Sequence, residues 1–130
     1  MTLTKVAEDG HHHIYHTLAK CPFPLSNRST ITCEYKIEHD GVLTFIQSSR
    51  GNEALTTANA SIIGKNVVAT SIINFARYAP VTGGFDITTV TCADPAGSIP
   101  DGMKNKQAAR HAQAPVNLSN FMLTGAVPKE

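Results

Sequence analysis

The run Ile31-Thr32-Cys33-Glu34-Tyr35-Lys36-Ile37-Glu38, closed by His39-Asp40-Gly41 and answered by Val42-Leu43-Thr44-Phe45-Ile46-Gln47-Ser48, decides the fold. Ile31, Cys33, Tyr35 and Ile37 alternate with Thr32, Glu34, Lys36 and Glu38. Residues two apart share a face only in a strand, so this is a β-strand with one apolar and one polar side. Asp40-Gly41 suits a type I′ turn, whose central positions both need positive φ, and the return run is rich in strand formers. The two segments are expected to pair antiparallel.

Working outward, Ile14 to Lys20 reads as a short strand stopped by Cys21-Pro22-Phe23-Pro24, because proline removes ladder donors. Residues 1 to 10 show no sustained period and read as a tail or a remnant turn at Asp9-Gly10. Downstream, Arg50 to Lys65 reads as a long connection with one helical turn. Asn66 to Pro80 is too long for one ordinary strand, so it is expected to hold two, with a break near Ser71 to Asn74. Gly83-Gly84 turns the chain into a strand over Phe85 to Ala93, ended by Asp94-Pro95-Ala96-Gly97. A helix follows Pro100, with Asp101 at its N-terminus and Met103, Gln107, Arg110 or His111, Ala114, Leu118 and Met122 on one stripe. Pro115 is expected to kink or divide it, and Gly125 to end it. The predicted fold is α+β: a curved antiparallel sheet packed on a long C-terminal helix.

The 130 residues allow one domain. Its expected limits are 13–124, between tails at 1–12 and 125–130. A hydrophobic share of 42% can build a core, while a net charge of +1 gives no electrostatic reason to bind nucleic acid. The sequence has neither a long apolar run nor a signal-like N-terminus, so a cytoplasmic protein is expected. Three cysteines, Cys21, Cys33 and Cys92, are too few and too scattered for a disulfide framework and are read as buried small apolar residues.

Chemistry-bearing patterns are sparse. His11-His12-His13 with His16 is the one metal candidate, but successive strand residues point to opposite faces and no Cys or carboxylate pattern accompanies them. No metal site is therefore assigned. There is no nucleophile elbow, and Glu34 and Glu38 read as a solvated strand face, so no catalytic residues and no cofactor are assigned and the chain is not expected to be an enzyme.

Several landmarks, taken together in order, resemble the C-terminal half of a START (StAR-related lipid-transfer) domain. They are Pro22-Phe23-Pro24-Leu25-Ser26-Asn27-Arg28, the strand pair around Asp40-Gly41, Val67-Val68-Ala69, Ala79-Pro80, and Asp94-Pro95-Ala96-Gly97-Ser98-Ile99-Pro100 with Asn105. The resemblance covers roughly residues 14 to 124. It implies a truncated helix-grip fold that encloses a lipid between sheet and C-terminal helix. The chain is shorter than that family's domain, Val68 stands where the family has Arg, and Ser29 follows Arg28 where it has Asp. Without that arginine, ligands with a mainly apolar contact surface fit best.

The resemblance thus implies noncatalytic binding, and transfer, of a lipid or other hydrophobic ligand, with transient membrane contact. The expected lining is Tyr35, Ile37, Val68, Tyr78, Ile87, Thr89, Met103, Gln107 and Met122. An incomplete sheet leaves an open edge, which predicts a homodimer or a partner supplying the missing half. The competing expectation is a protein-interaction module that uses this edge and has a filled core without ligand.

Overall fold

The structure is a computed structural model that describes residues 2–9 and 12–125. The expected Asp9-Gly10 turn, His11 and the tail beyond Gly125 lie wholly or partly outside these residues. The elements are β1 (Thr2–Asp9), β2 (His12–Ala19), β3 (Arg28–His39), β4 (Val42–Ser48), α1 (Glu53–Ala58), α2 (Ala60–Ile63), β5 (Val67–Val68), β6 (Thr70–Val81), β7 (Gly84–Asp94) and α3 (Asp101–Thr124). One sheet has the order β1-β2-β3-β4-β6-β7, antiparallel throughout, and β5 lies parallel to the start of β3. This is the α+β arrangement of a sheet with a C-terminal helix.

The β3–β4 hairpin closes through Asp40 and Gly41 at φ 50° and 74°, as a type I′ turn requires. Other boundaries correct the expectations. The first residues are not a tail: they form β1 on the outer side of β2. Their alternation is hidden because the register shifts between Lys5 and Ala7, which moves the following side chains to the opposite phase. The connection after β4 holds two short helices rather than one turn. The break between β5 and β6 falls at Ala69, ahead of Ser71, and the sheet absorbs the irregularity at Ser71 and Ile73 as a register shift. Pro115 sits inside one uninterrupted helical run, and Gly125, at φ 69°, ends it by donating its N–H to Phe121 O.

Directly opposed residues share a face, so the register sorts the sheet into two sides. One side carries Ile31, Cys33, Tyr35 and Ile37 with His16, Ile46 and Phe75; the other carries Glu34, Lys36 and Glu38 with Phe45, Ala76, Tyr78 and Ile87. The buried core gathers around the beginning of β3, where Ile31, Cys33, Arg28, Ser29 and Thr32 are joined by His16, Ile63 and Ala69. Asn66 donates to Ser29 Oγ and the His16 ring meets the same hydroxyl at 3.1 Å, tying β2, β3 and the segment after α2 together. Farther along the same strand, Tyr35 and Ile37 are 46% and 50% exposed. The apolar alternation of β3 therefore marks a core only in its first half.

Arg28 joins two parts of the chain that the sequence only suggested belong together. It is 7% exposed. Its guanidinium donates to Pro95 O at 3.2 Å, to Ala96 O at 3.1 Å and to Ser26 O. The β2–β3 loop is thereby latched to the turn that launches α3. That helix buries none of its described side chains, and its principal sheet contact is β7. Of the cysteines, Cys33 is buried as expected, but Cys21 is half-buried and Cys92 is exposed on the outer strand.

Candidate functional site

The most organised surface lies on the Tyr78 side of the sheet. A single register row crosses the strands as Glu8, His13, Glu34, Gln47, Asn74 and Thr91, every one of them polar. Hydrogen bonds run along it. Thr91 Oγ1 donates to Asn74 Oδ1 at 3.2 Å, Asn74 Nδ2 donates to Gln47 Oε1 at 3.0 Å, and Gln47 Nε2 donates to Glu34 Oε2. On the other side, His13 Nδ1 lies 3.6 Å from Glu34 Oε1, and His13 Nε2 lies 3.0 Å from Glu8 Oε1. The hydrogen bond from Lys5, reinforced by that from His13, holds the Glu8 carboxyl below its ordinary range.

Each amide donates from one side and accepts from the other, so the chain of bonds fixes their orientation and converges on Glu34. The Glu34 side chain is only 11% exposed, which corrects the reading of Glu34 as a solvated strand residue. Glu38, at 68%, is solvated as expected. Beside Glu34, the Thr32 hydroxyl is buried and lacks a hydrogen-bond partner among the described residues.

Next to this row the same face turns apolar. Phe45 and Tyr78 meet edge to face, with ring centroids 6.1 Å apart, and Ala76 lies opposite Phe45. Glu34, Gln47 and Asn74 with Phe45, Ala76 and Tyr78 line a groove of about 270 Å³. Tyr78 opposes Ile87, and Ile87 lies in turn in a second groove of about 300 Å³, between Phe85 to Ile87 of β7 and Pro115, Val116, Ser119 and Asn120 of α3. The first volume lies just below, and the second at the lower limit of, the range of roughly 300–1,000 Å³ typical of small-molecule sites.

The nine expected lining residues are distributed as follows. Tyr78, Ile87 and Thr89 share this face, with Tyr78 in the first groove and Ile87 in the second. Tyr35 and Ile37 lie on the opposite side of the sheet. Val68 belongs to β5 beside Ser29, and Met103, Gln107 and Met122 line neither groove. Gln107 instead meets His111 at 3.3 Å. α3 meets the second groove through Pro115, Val116, Ser119 and Asn120, and the breaker that was expected to interrupt the helix is part of its contact surface.

Sequence reading missed Phe45, Gln47, Asn74 and Ala76. The signal for them is the partner face of the β3 alternation, carried through the hairpin register. Of the histidines, His12 stacks edge-on against Tyr35 and His16 is buried at Ser29. Among the described residues no group of three metal-binding side chains converges, and no helix is long and apolar enough to cross a membrane.

No family model matches the chain, and no curated protein matches it. Two solved structures do. The crystal structure of human STARD10 matches with a TM-score of 0.67 and 20% identity, over 93% of this chain and 47% of that one. The human StarD13 (DLC2) lipid transfer and protein localization domain matches with a TM-score of 0.60 and 19% identity, over 78% of this chain and 50% of that one. The chain has a START-like, helix-grip fold and spans about half the length of the structures it matches.

Proposed function

We propose that this START-like chain binds a lipid or similar hydrophobic ligand without chemical conversion, along the sheet face that runs from Glu34 past Phe45 and Tyr78 to Ile87 and α3. The observation that carries the reading is a groove in which part of the ordered polar row, Glu34, Gln47 and Asn74, meets the apolar side of Phe45, Ala76 and Tyr78. A ligand with a polar end and an apolar body matches both parts. Gln47 and Asn74 each keep a second amide hydrogen, and Glu34 keeps acceptor positions, so the row suits a neutral head that both donates and accepts. An anionic head would meet the Glu34 carboxylate and be disfavoured.

Neither groove alone is large for a lipid, so the body of the ligand would run past the Tyr78–Ile87 pair and lie under Pro115 and Val116. Thr89, on the same face, and the α3 residues Met103, Gln107 and Met122 would join the lining when the helix closes over the ligand. Tyr35, Ile37 and Val68 would serve only a second apolar surface. The fold match to a lipid transfer domain supports transfer, and the same proposal includes transient membrane contact and a cytoplasmic setting.

The test is binding of a fluorescent long-chain fatty amide. Removing the contact of a buried aromatic side chain costs roughly 1.5–3 kcal/mol, so Phe45→Ala or Tyr78→Ala is expected to weaken binding about ten- to hundredfold. Tyr35→Ala, on the opposite face, is expected to leave it unchanged. Equal effects of Tyr78→Ala and Tyr35→Ala, or no saturable binding to the wild-type chain, would overturn the assignment.

A further inference from the structure

We infer that the charge on His13 sets which head group the polar row accepts: a neutral head when the imidazole is protonated, a long-chain primary ammonium when it is not. The inference rests on the binding site proposed above and adds its control. His13 lies between two carboxylates, with Nε2 3.0 Å from Glu8 Oε1 and Nδ1 3.6 Å from Glu34 Oε1. The Tyr15 hydroxyl is 3.5 Å from the same Nδ1. The ring therefore has two satisfied states. As an imidazolium it is a donor at both nitrogens, and its Nδ1 side is ion-paired with Glu34. As a neutral ring it donates from Nε2 to Glu8 and accepts at Nδ1 from the Tyr15 O–H, and Glu34 is left to the Gln47 amide. Histidine is the side chain whose charge ordinarily changes between about pH 5 and 8.

The charges around the ring decide the direction of the effect. From β1, Glu8 faces it, already paired with Lys5; from β3, Glu34 faces it. Lys36, the next residue on that face of β3, is paired with Glu38. Helix α3 makes its principal sheet contact with β7, the outer strand at the opposite end of the sheet from β1 and β2. Lys5, Glu8, Glu34 and an imidazolium balance to zero, whereas with a neutral ring the group carries one net negative charge. Because Glu8 retains Lys5, that charge falls on Glu34, the member of the group that also lines the groove with Phe45 and Tyr78. The Glu34 side chain is 11% exposed, so water screens little of the imbalance. An ammonium at Glu34 restores neutrality. When His13 is protonated the same ammonium meets a like charge roughly 5–6 Å away, which at an effective dielectric constant between roughly 20 and 80 weakens its binding about tenfold.

The test compares dodecylammonium with dodecanamide, probes of one chain length, by isothermal titration calorimetry of the full chain at about pH 5.5 and about pH 8. A primary ammonium keeps its charge across this interval. The ratio of ammonium to amide affinity is expected to rise about tenfold from the lower pH to the higher, and by less at about 0.5 M salt. His13→Gln, shown to be folded by an unchanged circular dichroism spectrum, is expected to hold the ratio constant at the higher value, and Glu34→Gln to hold it constant at a low one. In the ligand-free chain the Glu34 carboxyl carbon is expected to shift in step with the His13 ring in an NMR titration. A constant wild-type ratio with both probes bound would overturn the inference and leave the binding site standing. A ratio that still rises in His13→Gln, or a Glu34 carbon that does not follow His13, would overturn it as well. Saturable binding of neither probe at either pH would overturn the binding site, and this inference with it.

Discussion

Replacing Arg28 by Met tests whether the latch between the β2–β3 loop and the turn before α3 holds the helix in place. Arg28 donates to the carbonyls of Ser26, Pro95 and Ala96 from a buried position. Hydrogen bonds from a charged donor contribute roughly 1.5–3 kcal/mol each. The three do not sum, because Pro95 and Ala96 are half-buried and water can replace part of what is lost, and because Met escapes the cost of burying a guanidinium. A net loss of about 2–4 kcal/mol is expected, from a total of about 5–15 kcal/mol for a domain of this kind. With an m-value of about 2 kcal/mol/M, the urea midpoint falls by about 1–2 M.

The loss is also expected to be local first. Amide exchange over residues 94–104 should accelerate at urea concentrations that leave β3 and β4 protected. Lysine at the same position keeps the charge but lacks the fork that reaches three carbonyls, and should recover only part of the stability. An unchanged midpoint in Arg28→Met, with unchanged exchange at the turn, would refute the latch.

Three further outcomes are expected. Ser29→Ala strips both His16 and Asn66 of a buried partner and should cost about 1–3 kcal/mol in urea unfolding, a loss that the near-isosteric Ser29→Cys restores only poorly. Gly41→Val places a β-branched residue at φ 74° and should cost at least about 1 kcal/mol, read as a lower thermal midpoint; an unchanged midpoint would contradict the hairpin. In an acid titration followed by NMR, Glu8 should titrate below the ordinary glutamate range and move back toward it in Lys5→Ala. Because the folded value is the lower one, the contribution of this pairing to stability is present above the unfolded value and lost as pH falls through the folded one.

The hairpin, the turn at Asp94 to Gly97 and the final helix were legible because each is written in local chemistry: alternation, positive-φ residues and a proline-led start. Arg28 and the Asp94 turn could be matched by resemblance, although their contact spans distant parts of the chain. β1 was illegible because one shift beyond Lys5 reverses the phase of its side chains. The polar row was illegible for a stronger reason. Glu34, Gln47, Asn74 and Thr91 become neighbours only when the register of four successive strands is fixed, and a slip of one residue would send any of them to the other face.

The same dependence explains Tyr35 and Ile37. Ile31 and Ile37 alternate in one pattern, but six residues of strand carry the chain about 20 Å. The segment after α2 reaches the face at Ser29, through Asn66, and Ile63 is buried there with Ile31. Periodicity identifies a face; it does not say how far along the strand that face is covered.

Native mass spectrometry of the chain purified from cells without detergent reads out directly whether the groove holds a lipid. A species heavier than the polypeptide by the mass of one lipid per chain is expected, released on denaturation and lost in Phe45→Asp. Bare polypeptide in repeated preparations, with no uptake of lipid from vesicles offered afterwards, would contradict it.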